Sequence, residues 1–140
     1  PRTVAFFYIT SNGQANVRKS ADYLPKMIEL AGGRYIFDSL GDEDDAMSTM
    51  SMQMEEFYAG AKDADYIIYN STIEGELSSV DDLLAKSPLF EKFKAVQEGH
   101  VYCTSKNLYQ STMSLGTITS DIRRMLTGDD ADLTYIYKLE

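Results

Sequence analysis

The sequence predicts an α/β fold, a three-layer sandwich in which helices flank a mostly parallel central sheet. Short apolar runs alternate along the chain with longer segments whose apolar residues recur at helical spacing, and no internal repeat or flexible linker interrupts that order. Strands that alternate with helices form parallel sheets with right-handed crossovers. The 140 residues suit one domain, so we expect residues 1–140 to form a single Rossmann-like lobe.

Four strands and six helical segments, counting the tail of the chain, are expected in chain order. The strands are apolar runs at residues 3–10, 35–37, 64–70 and 100–104. Apolar residues recur at helical spacing in 23–31, 53–61, 80–85, 89–95 and 115–127. The acidic segment 38–51 is read as a solvated loop whose Ser51 caps the second helix. The tail 131–139 is read as a final helix.

Charge and composition narrow the choice of partners. Thirteen Lys and Arg against 22 Asp and Glu give a formal net charge of −9, which disfavours nucleic acid and anionic membrane surfaces. No uninterrupted apolar run approaches the roughly 20 residues of a membrane-spanning helix, so we do not expect the chain to span a membrane. The single cysteine, Cys103, excludes an internal disulfide and a zinc site built from cysteines.

Polar side chains are expected to gather at one edge of the sheet. The carboxyl ends of parallel strands lie together, and ligands of open α/β sheets bind outside them. The segments after the first, third and fourth strands are rich in amides and hydroxyls, including Ser11, Asn12, Gln14, Asn16, Asn70, Ser71, Thr72, Ser105, Asn107 and Gln110. Such an edge suits a polar or chelated small molecule, but loops are commonly polar, and composition leaves both interpretations open.

The sequence contains no clear catalytic pair. His100, the only histidine, lies three residues from Cys103, so on a strand their side chains point to opposite faces. The carboxylates at 42–45 lack the interleaved spacing of a calcium loop. The methionines between Met47 and Met54 are read as core filling instead of metal ligands. We therefore expect a binding protein, not an enzyme, with no cofactor and no resident metal.

Four segments, taken in order, resemble the C-terminal lobe of ABC-transporter substrate-binding proteins for iron siderophores, haem and cobalamin. They are 23–35 (YLPKMIELAGGRY), 54–57 with 63–68 (MEEF, DADYII), 95–102 (AVQEGHVY) and the long helix from Leu115. Tyr35 and Ala64 replace the Asn and Pro that are common in that family, which leaves the expected fold intact. The resemblance implies a C-terminal lobe whose N-terminal counterpart is absent from this sequence.

The resemblance also implies a function. In that family two lobes hold a metal chelate in the cleft between them and deliver it to a membrane permease. The protein is then expected outside the cytoplasm, in the periplasm or as a cell-surface lipoprotein whose signal is not in this sequence. The implied ligand-binding residues are Tyr8, Asn12, Arg18, Asn107, Tyr109 and Gln110. The permease is implied to dock on Glu55, with Glu56 as the adjacent choice.

A flavodoxin-like FMN protein for electron transfer is the alternative. Residues 10–16 partly resemble a flavin phosphate loop, and the length and acidity suit that class. The periodic helix starts near Ala21, too late for its N-terminus to meet an anion held at Ser11, and no glycine-rich nucleotide motif is present. A stand-alone interaction domain is a third interpretation.

Overall fold

Strands from most of the chain join one mixed sheet in this computed structural model, which describes residues 2–18, 23–37, 49–105, 115–129 and 133–140. Within those residues the strands are β1 (Arg2–Ile9), β2 (Ala15–Arg18), β3 (Gly33–Tyr35), β4 (Thr49–Met52), β5 (Tyr66–Tyr69), β6 (Val101–Thr104) and β7 (Ile136–Lys138). The helices are α1 (Tyr23–Leu30), α2 (Met54–Ala61), α3 (Val80–Lys86), α4 (Lys94–Glu98) and α5 (Leu115–Thr127), with a 3-10 helix at Pro88–Lys92.

The centre of the sheet is parallel and its outer pairs are antiparallel. The strand order is β4-β2-β1-β5-β6-β7, and β3 pairs with the amino-terminal half of β1, on the edge where β2 pairs with the carboxyl-terminal half. Strand β1 runs parallel to β3 and β5, and β5 runs parallel to β6. The predicted parallel centre is therefore confirmed, while β2, β4 and β7 add antiparallel pairs around it.

Helices cover both faces of the sheet. One face meets α1 and α5 around a small apolar cavity, whose lining includes Phe6, Leu24, Ile28, Ile68, Ile118 and Ile122. On the other face, the ring of Phe7 lies 4.8 Å from that of Phe57 in α2 and 5.6 Å from that of Phe90 in the 3-10 helix. Phe6 and Phe7 are both buried because β1 is covered on both sides, which explains its continuous apolar run.

The polar segment after β1 is a tight turn that leads into an unpredicted strand. Gly13 has a φ of +82° and donates its N–H to the Thr10 carbonyl at 2.9 Å, while the Thr10 N–H donates to the Gln14 carbonyl at 2.8 Å. The chain then returns as β2, antiparallel to β1, and buries Ala15 and Val17. Two small apolar residues at alternate positions are too weak a pattern to predict a strand.

A second unpredicted strand lies at the end of the acidic segment. Residues 49–52 form β4 and pair with β2, so Ser51 is a strand residue. The prediction that Ser51 caps α2 was wrong, because Gln53 takes that position, without a side-chain cap hydrogen bond. Met52 and Met54 are buried, in keeping with the predicted core-filling role, whereas Met50 is exposed and the prediction was wrong for it. The acidic residues 42–45 and Met47 lie outside the described residues.

The tail of the chain is a strand and not the predicted helix. Ile136–Lys138 forms β7, antiparallel to β6. The buried carboxylate of Asp121 in α5 accepts the backbone N–H groups of Thr134 and Tyr135 at 3.0 and 2.6 Å. This carboxylate holds the tail extended where it enters the sheet, and β6 gains a hydrogen-bonded neighbour. Such long-range contacts override local helical preference.

Candidate ligand-binding site

The carboxyl ends of the parallel strands form the candidate site. Strands β1, β5 and β6 end side by side at Ile9, Tyr69 and Thr104. The turn at residues 10–14 follows β1, and the longer segment 70–79 connects β5 to α3. The continuation after β6 is described only as far as Ser105. The polar side chains that the sequence predicts at one edge of the sheet are therefore expected here.

The deepest polar residues of the edge are bonded to each other. Ser71 donates its backbone N–H to Thr104 Oγ1 at 2.8 Å and its hydroxyl to the Thr104 carbonyl at 2.7 Å. Asn70 Oδ1 accepts the backbone N–H and the hydroxyl of Thr72 at 3.0 and 2.7 Å. Asn70, Ser71 and Thr104 are buried. The bonds between Ser71 and Thr104 join the end of β5 to the end of β6. We call the three buried residues Asn70, Ser71 and Thr104 the floor of the site.

Exposed groups lie above that floor. Ser11, Asn12 and Gly13 are exposed at the turn after β1, so the predicted ligand residue Asn12 lies at the expected edge with its side chain open to solvent. Tyr8, the other predicted ligand residue of β1, is half-buried, packs against the core and pairs with Asn16 of β2. The turn gathers polar groups because its backbone geometry favours them over apolar side chains.

The other predicted ligand residues are placed only in part. Arg18 is at the end of β2, three residues beyond Ala15, which pairs with Ile9; its backbone is therefore roughly 10 Å back from the edge. The side chain of Arg18 lies outside the described residues. So do all of Asn107, Tyr109 and Gln110. Asn16, predicted as a loop residue, is in β2, and its Nδ2 donates to Ser51 Oγ at 3.1 Å.

An apolar residue and a phenol were missed at this edge by sequence reasoning. Ile73 is 60% exposed in the segment after β5 and adds an apolar side chain to this edge. Tyr69, the last residue of β5, is fully buried, and its hydroxyl has no hydrogen-bond partner. Burial raises the pKa of Tyr69 to about 12. The available signal was a tyrosine placed directly before a polar segment.

Cys103 belongs to the protein interior. Its Sγ lies 3.1 Å from the hydroxyl of Tyr137, which donates to the Leu77 carbonyl at 2.6 Å. Burial raises the pKa of the Cys103 thiol, and burial likewise raises the pKa of Tyr137, with the contact to Cys103 adding to the effect. The thiol is therefore uncharged at neutral pH and unsuited to act as a nucleophile.

His100 lies at the opposite, amino-terminal end of the sheet. Its Nδ1 is 3.0 Å from the Asp65 carbonyl, and its ring stacks on Tyr66 with centroids 4.5 Å apart. Nearby, Asp65 Oδ1 accepts from Lys94 Nζ at 2.7 Å, and Oδ2 accepts from the Thr3 N–H at 2.9 Å. Burial alone raises the pKa of Asp65, but these hydrogen bonds outweigh it and hold the pKa below its ordinary value.

His100 and Cys103 do not form a pair in the structure. His100 contacts the Asp65 carbonyl, whereas Cys103 contacts the Tyr137 hydroxyl on another part of the sheet. Across the part of the chain that the structure describes, no group of three or more His, Cys, Asp or Glu side chains is arranged to hold a metal ion. At the carboxyl edge the described residues offer hydrogen bonding and apolar contact.

Glu55 and Glu56 form a separate exposed pair. Both lie in the first turn of α2, where their charges complement the positive end of the helix dipole. Met54 and Phe57 bury the other side of that turn, so the two carboxylates face solvent.

None of the helices in the described ranges has the length and apolar character needed to cross a bilayer.

No family model matches the chain. It is 28% identical over 145 residues to the uncharacterized lipoprotein MJ0872 of Methanocaldococcus jannaschii, covering all of this chain and 36% of that protein. The chain thus spans about a third of the curated relative it matches.

Solved structures match more than nine-tenths of the chain. The TroA-like periplasmic binding protein FepB of Veillonella parvula matches with a TM-score of 0.67 and 13% identity, over 100% of this chain and 49% of that one. The haem-binding protein HutB of Vibrio cholerae gives 0.66 and 19%, over 91% and 46%. PiaA of Streptococcus pneumoniae in complex with ferrichrome gives 0.65 and 19%, over 95% and 45%.

These matches confirm the expected fold. The chain has the fold of a single lobe of TroA-like ABC-transporter substrate-binding proteins, a class whose matched members include siderophore- and haem-binding proteins. In particular, it resembles about half of HutB and PiaA, and at these identities the likeness is one of fold.

Proposed function

We propose that this chain is the C-terminal lobe of the solute-binding component of an ABC importer that carries an iron chelate such as a ferric siderophore or haem. The observation that carries the proposal is the match over 91% and 95% of the chain to HutB and to the ferrichrome complex of PiaA. A polar, partly exposed edge at the carboxyl ends of β1, β5 and β6 supports it.

The proposed ligand surface includes Asn12 and Tyr8 at the end of β1. Asn12 is exposed, and its amide supplies both a donor and an acceptor to an oxygen-rich ligand. Tyr8 contributes a half-buried aromatic surface against which a planar ligand packs. Arg18, Asn107, Tyr109 and Gln110 complete the proposed set, in which Arg18 pairs with carboxylate or catecholate oxygens. Binding, without catalysis, is the proposed activity.

The proposed delivery surface is the first turn of α2. Glu55 and Glu56 are exposed and adjacent, and the buried side of the helix fixes their direction. Two fixed carboxylates offer bidentate pairing to arginines on a permease. We place the protein outside the cytoplasm as a lipoprotein or periplasmic protein, an assignment supported by the lipoprotein relative.

The alternative of an FMN-binding protein has less support than a protein that binds an iron chelate. The segment after β1 turns back into β2 at Gly13, whereas a flavin phosphate is held by backbone N–H groups that open into a helix. Nothing else among the described residues favours FMN over a chelate.

Titration of the natural protein that contains this lobe tests the proposal. Tyrosine fluorescence is followed while a ferric trihydroxamate, a ferric tricatecholate, haemin, cobalamin and FMN are added in separate experiments. We expect saturable quenching by at least one of the iron chelates and none by FMN. An isolated lobe is the matched control, and it should bind much more weakly because half of the cleft is missing. Saturation by FMN alone, or by no compound, contradicts the proposed function.

A further inference from the structure

Tyr69 carries a hydroxyl that the described residues leave without a hydrogen bond. Its ring meets Phe7 edge-on with centroids 5.6 Å apart, and Lys86 Nζ lies 5.7 Å from the ring centre. The side chain is fully buried, and Oη has no partner. A buried polar group in this state is destabilising, because it has given up its hydrogen bonds to water and gained none in return.

Phenylalanine would fill the same place without that loss. The ring contacts of Tyr69 with Phe7 and Lys86 would be kept by phenylalanine. Polar groups that lower stability in this way are commonly found where a protein binds or reacts. The hydroxyl therefore has a hydrogen-bonding capacity that no described residue uses.

Tyr69 belongs to a strand end that borders the proposed ligand edge. Tyr69 is the last residue of β5 and is in register with Phe7 of β1 and Cys103 of β6. Burial, opposed in part by the nearby backbone N–H of Ile9, raises the pKa of Tyr69 to about 12. The phenol is therefore protonated at physiological pH, which makes it a hydrogen-bond donor that has no acceptor among the described residues.

We propose that the Tyr69 hydroxyl is a ligand-binding group that donates its hydrogen bond to an oxygen atom of the bound iron chelate. Hydroxamate, catecholate and carboxylate groups all supply such an oxygen. A protonated phenol binds that oxygen and leaves the iron with its own ligands, so the chelate is held intact. This inference rests on the proposed function and adds a residue outside the set that the sequence indicated.

Access to the hydroxyl requires a neighbouring segment to shift. Residues 72–76 are exposed and lie between two anchored positions. Ser71 is bonded to Thr104 on one side, and the Leu77 carbonyl is bonded to Tyr137 on the other. The proposal therefore requires a shift within residues 72–76 when the chelate binds, with the two anchored positions unchanged.

Tyr69→Phe in the natural two-lobe protein tests the inference. The variant removes one oxygen atom and keeps the ring contacts. Affinity is measured by fluorescence titration with whichever of a ferric trihydroxamate, a ferric tricatecholate or haemin the parent binds most tightly, and thermal stability is measured without ligand. We expect binding about tenfold weaker, together with a melting temperature equal to or above that of the parent.

Tyr137→Phe is the matched control. It also removes one phenol oxygen, but that hydroxyl already donates to the Leu77 carbonyl. We expect a lower melting temperature and unchanged affinity for the same chelate. The two variants therefore move affinity and stability in opposite combinations, which a merely structural role for Tyr69 does not produce.

The outcomes separate the inference from the proposed function. If the parent binds the chelate and Tyr69→Phe binds it equally well, the inference is wrong and the proposed function stands. If Tyr69→Phe lowers the melting temperature as Tyr137→Phe does, the hydroxyl has a partner in the unliganded protein and the inference is likewise overturned. If the parent binds none of the three chelates, the proposed function fails, and the inference fails with it.

Discussion

Single residues bind distant parts of the chain together at both ends of the sheet. Asp65 joins the start of β5 to Thr3 in β1 and to Lys94 in α4, through hydrogen bonds of 2.7 to 2.9 Å. At the other end, Ser71 and Thr104 join the ends of β5 and β6. The first contact is electrostatic, so it has a pH dependence that the second lacks.

Asp65→Asn should lower stability in a pH-dependent way. The folded-state pKa of Asp65 lies below its ordinary value of 3.8, so its stabilisation is present above that value and is lost as pH falls through the folded pKa. We expect a loss of about 1 kcal/mol at pH 7, since the site is partly solvated, and a progressively smaller loss as the pH falls below 3.8 toward 2. Urea denaturation across this pH range measures both.

Asp63→Asn is the control for that prediction. Asp63 is two residues away, 79% exposed at its side chain and paired only with the exposed Lys62 among the described contacts. Its replacement should change stability by less than about 0.5 kcal/mol at any pH. An Asp65 variant that loses the same small amount at pH 7 and pH 2 contradicts the assignment.

Secondary-structure elements at the margin of the sheet depend on contacts far along the chain. Strand β7 follows residues 130–132, which lie outside the described residues, and its entry is fixed by Asp121 of α5. The strand then pairs with β6, and Tyr137 reaches back to the Leu77 carbonyl. One buried carboxylate thus holds an element that local sequence does not specify.

Asp121→Ala should destabilise the protein markedly. The change leaves the N–H groups of Thr134 and Tyr135 without their acceptor, at an expected loss of about 2 to 3 kcal/mol. Amide exchange of β7 should accelerate before that of β1 or β5. Asp129→Ala, which removes an exposed partner of Arg124 just beyond the end of α5, is the control and should cost less than about 0.5 kcal/mol. Equal losses in the two variants contradict this role.

The parallel centre of the sheet could be predicted from the sequence, and its antiparallel additions could not. Runs such as Phe6-Phe7 and Ile67-Ile68 are apolar on both faces, which specifies a covered strand without knowledge of its neighbours. Strands β2, β4 and β7 have three or four residues each, and their pairing partners fix them. Short segments of this kind carry too little pattern to be recognised alone.

The candidate site was predictable in position but not in composition. Sequence order places Asn12 and the segment after β5 at one edge, as the topology requires. Whether a given polar residue is available depends on its partners, and Asn70 and Ser71 turn out to be bonded within the protein. The sequence indicates only that Tyr69 lies on a strand, because an unpaired hydroxyl is visible only in three dimensions.

Across the whole lobe, the two proposed surfaces lie near the same edge of the sheet. Met52 at the end of β4 is level with Ala15 of β2 and Ile9 of β1, and α2 begins at Met54. Asn12 and Tyr69 lie at the carboxyl ends of the strands, while Glu55 and Glu56 lie at the start of α2, on the helical layer that packs against Phe7. Because the two surfaces use different residues, a change at one should leave the other intact.

Glu55→Arg in the natural two-lobe protein should lower transport and spare binding. Reversal of the charge repels the arginines proposed on the permease, while the exposed side chain of Glu55 contributes nothing to the core. Uptake of a labelled ferric chelate by whole cells should fall at least tenfold, with the dissociation constant unchanged. Glu91→Arg, an exposed position on the 3-10 helix, is the control. Uptake at the parental rate would remove Glu55 from the docking surface.

The most direct measurement is a crystal structure of the two-lobe protein grown with the ferric chelate that it binds most tightly. We predict electron density for the chelate against the carboxyl ends of β1 and β5, within hydrogen-bond distance of Asn12 and of the Tyr69 hydroxyl. Density for the chelate at any other surface of this lobe, with the edge of the sheet left in contact only with protein atoms, would contradict it.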